Sequence, residues 1–208
     1  MKPRVEPGAG DPLRRIIVVG VTGSGKTTLA RGLAWRFALP HVELDALYWG
    51  PGWTPASPEV FRARTAEALR GEAWVADGNY HIARDIVWSR ATTFVWLDYS
   101  LPVILWRLTR RSLRRVFTRE ELWHGNRERL REQFFSRNSL YFWALKSYWR
   151  RRREYPAALR QPEHAHLAVV RLRSPRAAHG PTRGVRRGDH SAAGQLLCQA
   201  RAHSPAAD

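Results

Sequence analysis

The chain has 208 residues, 44% of them hydrophobic and ten of them Trp, enough for one α/β domain of about 150–200 residues with a tail, and too apolar for wholesale disorder. Thirty-five basic against 18 acidic residues give a formal net charge of +17, which attracts nucleic acid, anionic lipid or phosphorylated small molecules, or marks a basic surface with no specific partner. The lone cysteine, Cys198, excludes an intrachain disulfide, and without a run of about 18 apolar residues no membrane span is expected.

Residues 1–13 read as a flexible Pro- and Gly-rich leader with no apolar centre, unlike a signal peptide, so a cytoplasmic protein is expected. Ile16-Ile17-Val18-Val19 is a short apolar run suited to a buried parallel strand, Gly20 to Gly25 a turn, and Thr27 to Phe37 a helix with Leu29, Leu33, Ala34 and Phe37 on one face. A second strand, residues 41–44, ends at Asp45. Residues 46–58, with Tyr48, Trp49 and Trp53 among prolines and Gly52, read as loop. Ser57 caps a helix from Pro58 to about Arg70. A third strand, residues 74–76, is closed by Asp77-Gly78-Asn79, and a fourth, residues 93–97, by Asp98, read as a structural cap.

Pro102 opens a helix running into Arg110-Arg111-Ser112-Leu113-Arg114-Arg115, residues 117–125 read as loop, and a long helical stretch follows to about Arg153, limited by Pro156. Aromatics from Phe134 to Trp149 are expected to be core or helix contacts rather than a membrane surface. Residues 166–172 form a fifth strand. Alternating strands and helices predict a parallel sheet with helices on both faces, whose ligand site lies at the carboxyl ends of the strands. Gly20, Asp45, Asp77 and Asp98 all fall there.

The string Gly20-Val21-Thr22-Gly23-Ser24-Gly25-Lys26-Thr27 follows a strand and opens a helix, the context a P-loop needs. Gly20, Gly23, Ser24, Gly25, Lys26, Thr27 and Thr28 would cradle the phosphates of ATP, with backbone N–H groups and the helix N-terminus supplying positive character. Lys26 would reach the β- and γ-phosphates, and Thr27 would ligate Mg²⁺, with Asp77 at the metal through water. Asp45 is placed to take a proton from an acceptor hydroxyl, or to touch the metal; an Asx turn is its plainer role. Arg107, Arg110, Arg111 and Arg114 share one helix side, and a mobile arm carrying Arg107 and Arg111 would bring positive charge onto the moving phosphoryl group. Tyr48, Trp49 and Trp53 are candidates to stack on an acceptor's base or ring.

On Gly20 to Thr28, Leu44 to Trp49, Trp53, Trp74 to Tyr80, Leu97-Asp98, Trp106-Arg107, Arg110-Arg111 and Arg171 to Pro175, the chain resembles the adenylate-kinase-like branch of P-loop kinases, closest to small bacterial adenylate-kinase and topology-modulation proteins. The resemblance covers residues 14–176. It implies a five-stranded parallel sheet of order 2-3-1-4-5, an acceptor segment at about 45–72, a lid at about 110–127, and a nucleoside monophosphate as acceptor. Arg107, Arg111 and, more loosely, Arg131 match lid-side arginines, and the Arg173-Ser174-Pro175 loop would lie against adenine. Where adenylate kinases carry Asp-Gly-Phe-Pro-Arg this chain has Asp77-Gly78-Asn79-Tyr80-His81; Asn79 is counted with the acceptor site, and Arg84 is the candidate replacement for the missing arginine. Past Arg176 the periodicity ends, so residues 177–208 are expected to be a disordered basic tail without a closing helix, the product of a frameshift or a native arm for nucleic acid. The alternative to a kinase, monomeric or dimeric, is a nucleic-acid-associated regulatory NTP binder.

Overall fold

The computed structural model describes residues 13–118, 121–126 and 140–179. Its centre is a five-stranded, all-parallel sheet: β1 (Arg15–Gly20), β2 (His41–Glu43), β3 (Trp74–Asp77), β4 (Thr93–Leu97) and β5 (Ala168–Leu172), in the order β2-β3-β1-β4-β5. The parallel strands are what the alternation of strands and helices predicts, and their order is the one the resemblance implies. Successive strand residues point to opposite faces. Ile16, Val18, Val75, Val95 and Leu97 join one buried cluster, whereas Ile17, Val19, Ala76, Phe94 and Trp96 join the other.

Against the first cluster pack α1 (Lys26–Phe37) and α5 (Leu101–Thr118), through Leu33, Phe37, Ile104 and Leu108. Against the second pack α3 (Pro58–Ala68) and α4 (Arg84–Arg90), through Phe61, Val87 and Trp88. A further helix, α6 (Leu140–Ala158), reaches both: Ala144 and Tyr148 enter the first cluster and Tyr155 the second. Ser57 does cap α3, accepting from the Val60 N–H.

Several elements differ from the sequence expectation. Residues 44–48 form a one-turn helix, α2, and Pro51–Trp53 a 3-10 turn, so Asp45 lies in the first turn of a helix rather than at the end of a strand. Buried Leu44 anchors that turn from below, a tertiary contact that local propensity does not report. Helix α4 was not anticipated. Pro156 lies inside α6, in its last turn; its ring removes one N–H from the helix ladder, and the helix ends two residues later at Ala158. A short helix, α7 (Pro175–His179), extends past Arg176; residues 180–208 lie outside the described residues. Phe142, Trp143 and Trp149 are exposed rather than core.

Asp98 is no cap. Its carboxylate is buried and accepts from Arg152 Nε at 2.7 Å and from Arg171 Nε at 2.9 Å, joining β4, β5 and α6. A buried acid between two half-exposed arginines is held by its partners, and removing it leaves two cations facing each other. Asp98→Ala should lower unfolding free energy by about 2–3 kcal/mol, measured by urea denaturation; a loss below about 0.5 kcal/mol, the value of a surface pair, would refute this role.

Candidate active site

At the carboxyl end of β1 the chain turns through Gly20–Gly25 into α1. Gly23 and Gly25 take left-handed backbone conformations (φ 79° and 92°). A Cβ on Gly23 would meet Leu108 Cβ at 2.9 Å, and one on Gly25 would meet the Arg107 guanidinium at 3.0 Å. Glycine is required here both for φ and for the close approach of α5. The same contact puts Arg107 directly over the phosphate loop. Helix α1 has no side-chain cap and no acidic residue in its first turn, which leaves its orphan N–H groups to an anion. Ser24 Oγ is buried with no partner among the described residues. These features fit the phosphates of a nucleoside triphosphate.

Lys26 Nζ donates to the Val21 carbonyl at 3.4 Å. Burial pushes its pKa down to about 8; Asp45 and Asp77 oppose this, and Arg151 and Arg111 add to it. Thr27 Oγ1 donates to Asp77 Oδ2 at 2.8 Å, and His41 Nε2 lies 2.8 Å from Asp77 Oδ1. Asp77 sits opposite Val18 in the ladder between β3 and β1, so sheet register carries it to the phosphate loop. Among the described residues no group of three His, Cys, Asp or Glu could hold a metal by itself. An ion at Thr27 and Asp77 therefore needs the oxygens of the nucleotide and water, as Mg²⁺ does in phosphoryl transfer. Asp77→Asn should raise the Mg²⁺ concentration needed for half-maximal turnover at least about tenfold, with partial recovery at high Mg²⁺, read from turnover against Mg²⁺; an unchanged Mg²⁺ curve would remove Asp77 from the metal site.

Asp45 points at the same ledge. Tyr80 Oη donates to its Oδ1 at 2.6 Å. Burial raises the carboxyl above its ordinary range, against the pull of Lys26 and Tyr80, and Asp77 and Glu43 add to the rise. Around it the rings interlock: Tyr48 lies 4.6 Å from Tyr80, Trp49 5.8 Å from Trp53, and Trp53 6.5 Å from Trp123. Trp53 follows Gly52, both in left-handed conformation. The turn Trp123–Gly125, beyond α5, holds this loop: Asn126 accepts from the Trp53 N–H at 3.0 Å and donates to the Gly50 carbonyl at 2.9 Å, and Trp123 Nε1 donates to Glu43 at 3.0 Å.

The remaining expected site residues are spread. Asn79 spends its amide on the backbone of Gly20, its Oδ1 accepting from the Gly20 N–H at 3.0 Å, and so braces the phosphate loop. Arg84 pairs with Glu154 at 3.6 Å and lies over Trp88. Thr28 is exposed on α1. Arg173 and Pro175 sit past β5, two strands away from β1. Arg131 lies outside the described residues.

Arg151 was missed. It is 7% exposed on α6, donates to Tyr155 Oη at 2.6 Å, and leaves its Nε unpartnered among the described residues. It is also near enough to Lys26 to depress its pKa. Tyr155 in turn donates to Asn79 Oδ1 at 3.0 Å, so a chain runs Arg151–Tyr155–Asn79–Gly20. The available sequence signal was the basic run Arg150 to Arg153 at the end of the long helical stretch.

No protein-family model matches the chain, and no curated protein does. Among solved structures it is similar to a shikimate kinase from Acinetobacter baumannii in complex with shikimate (17% identity, 91% of each chain, TM-score 0.49). It is also similar to a gluconokinase from Sinorhizobium meliloti 1021 (20% identity, 90% of this chain and 93% of that one, TM-score 0.47). A third is a sugar kinase from Janibacter sp. (24%, 79% and 88%, TM-score 0.43). With TM-scores this low they assign nothing to this chain.

Proposed function

We propose that the chain transfers the γ-phosphoryl group of a nucleoside triphosphate, ATP by resemblance, to a small acceptor seated beside Asp45. The observation that carries the reading is the convergence of Lys26, Asp45, Asp77 and Arg107 on one uncapped helix N-terminus. Lys26 and Arg107 hold charge on the phosphoryl group as it moves, and Arg111 and Arg151 add to the same field. Mg²⁺, held through Thr27 and Asp77, would neutralise phosphate charge.

Asp45 favours a hydroxyl-bearing acceptor. One carboxylate oxygen is fixed by Tyr80, and a raised pKa makes the carboxylate a better base near neutrality. The acceptor O–H breaks, its proton goes to Asp45, the new O–P bond forms, and the bond to the departing nucleoside diphosphate breaks. A nucleoside monophosphate, the acceptor implied by the resemblance, is the second reading, favoured by the Tyr48, Trp49 and Trp53 rings available for stacking a base. Its phosphate, with a second pKa near about 6, is mostly ionised at neutral pH and needs no base. The test is nucleoside diphosphate release with ATP and Mg²⁺ across a panel of polyols, sugars, hydroxy acids and nucleoside monophosphates. Acceptor-dependent release by any member supports phosphoryl transfer. Release by none, with salt-sensitive binding to DNA or RNA, supports the regulatory alternative.

A further inference from the structure

The exposed face shared by α5 and α6 is unlike the rest of the surface. On α5, Trp106, Arg110, Leu113 and Phe117 follow at spacings of four, three and four, which puts them in one stripe. Trp106 is 62% and Phe117 80% exposed. On α6, Phe142, Leu145 and Trp149 form a second exposed stripe at spacings of three and four. Tyr141 Oη and Thr109 Oγ1 hydrogen-bond at 2.9 Å across the seam between the helices. Trp106 and Leu113 are the i−3 and i+4 neighbours of Thr109, and Leu145 is the i+4 neighbour of Tyr141. The two apolar stripes therefore border the same seam.

The stripes are set among cations. Arg110 lies over Trp106 at 5.7 Å and Arg150 over Trp143 at 5.6 Å. Lys146 and Arg153 are exposed on α6. Beyond Arg107 and Arg111, which face the phosphate loop, helix α5 carries three arginines and no acid, and the single acid of α6, Glu154, is paired with Arg84 and Arg150. Large exposed rings and aliphatics on a monomer's surface mark an interaction site, and the charge around them selects an anionic partner.

We propose that this face docks on an anionic lipid surface, the aromatic and leucine side chains entering the acyl boundary and the arginines and lysine meeting headgroup phosphates. Helices with Trp, Phe and Leu flanked by Arg and Lys bind membrane interfaces in this way. A second copy of the chain would set arginine against arginine. A nucleic acid would use the cations and rings, but Leu113 and Leu145 give nothing to a stacked base, whereas both insert beside acyl chains.

The test uses the full chain with phosphatidylcholine vesicles, with and without phosphatidylserine, followed by sedimentation and by tryptophan emission. The protein is expected to partition onto the phosphatidylserine vesicles only, with a blue shift and a loss of binding at high salt. Phe117→Ser with Trp149→Ser should lower the partition at least about tenfold, and Trp106→Ser should lower it on its own. Nucleotide affinity, measured on the same samples, should stay at the wild-type value and so certify the fold. Wild-type partition by the folded double variant would overturn the proposal, because charge elsewhere on the chain would then carry the binding. So would failure to bind phosphatidylserine vesicles, or oligonucleotide binding that these substitutions weaken while lipid binding is unaffected.

Discussion

Lys26→Ala is expected to lower turnover at least about 10²–10³-fold with the fold intact. On the proposed function, the lysine adds charge to a site where the uncapped helix N-terminus and Arg107 would already face the phosphates. Its pKa, held near 8 by burial before any phosphate arrives, gives a pH signature. Nucleotide affinity of the wild type should weaken as pH rises through about 8, and binding below that point should be insensitive to this group. Stability moves the other way. The unfolded lysine, at 10.5, binds more protons than the folded one between pH 8 and 10.5, so the ligand-free protein should gain stability from Lys26 as pH rises across that window. Lys26→Met should flatten both effects. Wild-type turnover in the folded alanine variant would end the catalytic assignment, and an unaltered pH dependence in the methionine variant would assign the titration to another group.

Asp45→Asn should lower acceptor-dependent turnover about 10²–10⁴-fold, the usual worth of a general base, while ATP·Mg²⁺ affinity stays close to wild type. Asparagine keeps an oxygen for Tyr80 but cannot take the proton, so geometry survives and chemistry does not. Rate and nucleotide affinity must be measured on the same preparation, because a lost positioning contact also slows turnover. A changed Mg²⁺ requirement, with the acceptor response retained, would move Asp45 to the metal and Asp77 away from it. Tyr80→Phe separates the two contributions: losing the 2.6 Å donor should slow turnover less than losing the carboxylate.

Features set by local pattern were legible in the sequence. The apolar run before Gly20 and the lysine after Gly25 specify strand, turn and helix within a dozen residues, and the alternation of elements specifies a parallel sheet covered on both faces; the strand order came only with the family resemblance. The nearness of Asp45 and Asp77 was legible too, since each falls at or just past the carboxyl end of a strand. Helix α2 was not. A five-residue helix with no side-chain cap is held by Leu44 below and by Tyr80 on Asp45, both contacts from outside its own segment. Arg151 was hidden for the same reason: its standing depends on Tyr155 one turn along and on Lys26, which the fold brings beside it. Asn79 reads as a substrate ligand from its place after β3, yet its amide is consumed by Gly20, a partner 59 positions earlier.

Asn126 and Trp123 give the two halves of the site a common hinge point. Both follow the helix that carries Arg107 and Arg111; Asn126 grips the loop after α2 at Gly50 and Trp53, and Trp123 holds Glu43 at the end of β2. On the proposed function, work done in seating one substrate would be partly delivered to the other. Thermodynamic linkage makes that transfer reciprocal: the factor by which bound nucleotide changes acceptor affinity must equal the factor by which bound acceptor changes nucleotide affinity. Asn126→Ala should then bring that common factor toward unity while leaving each substrate its own contacts, read from nucleotide affinity with and without acceptor; an unchanged factor would refute the coupling.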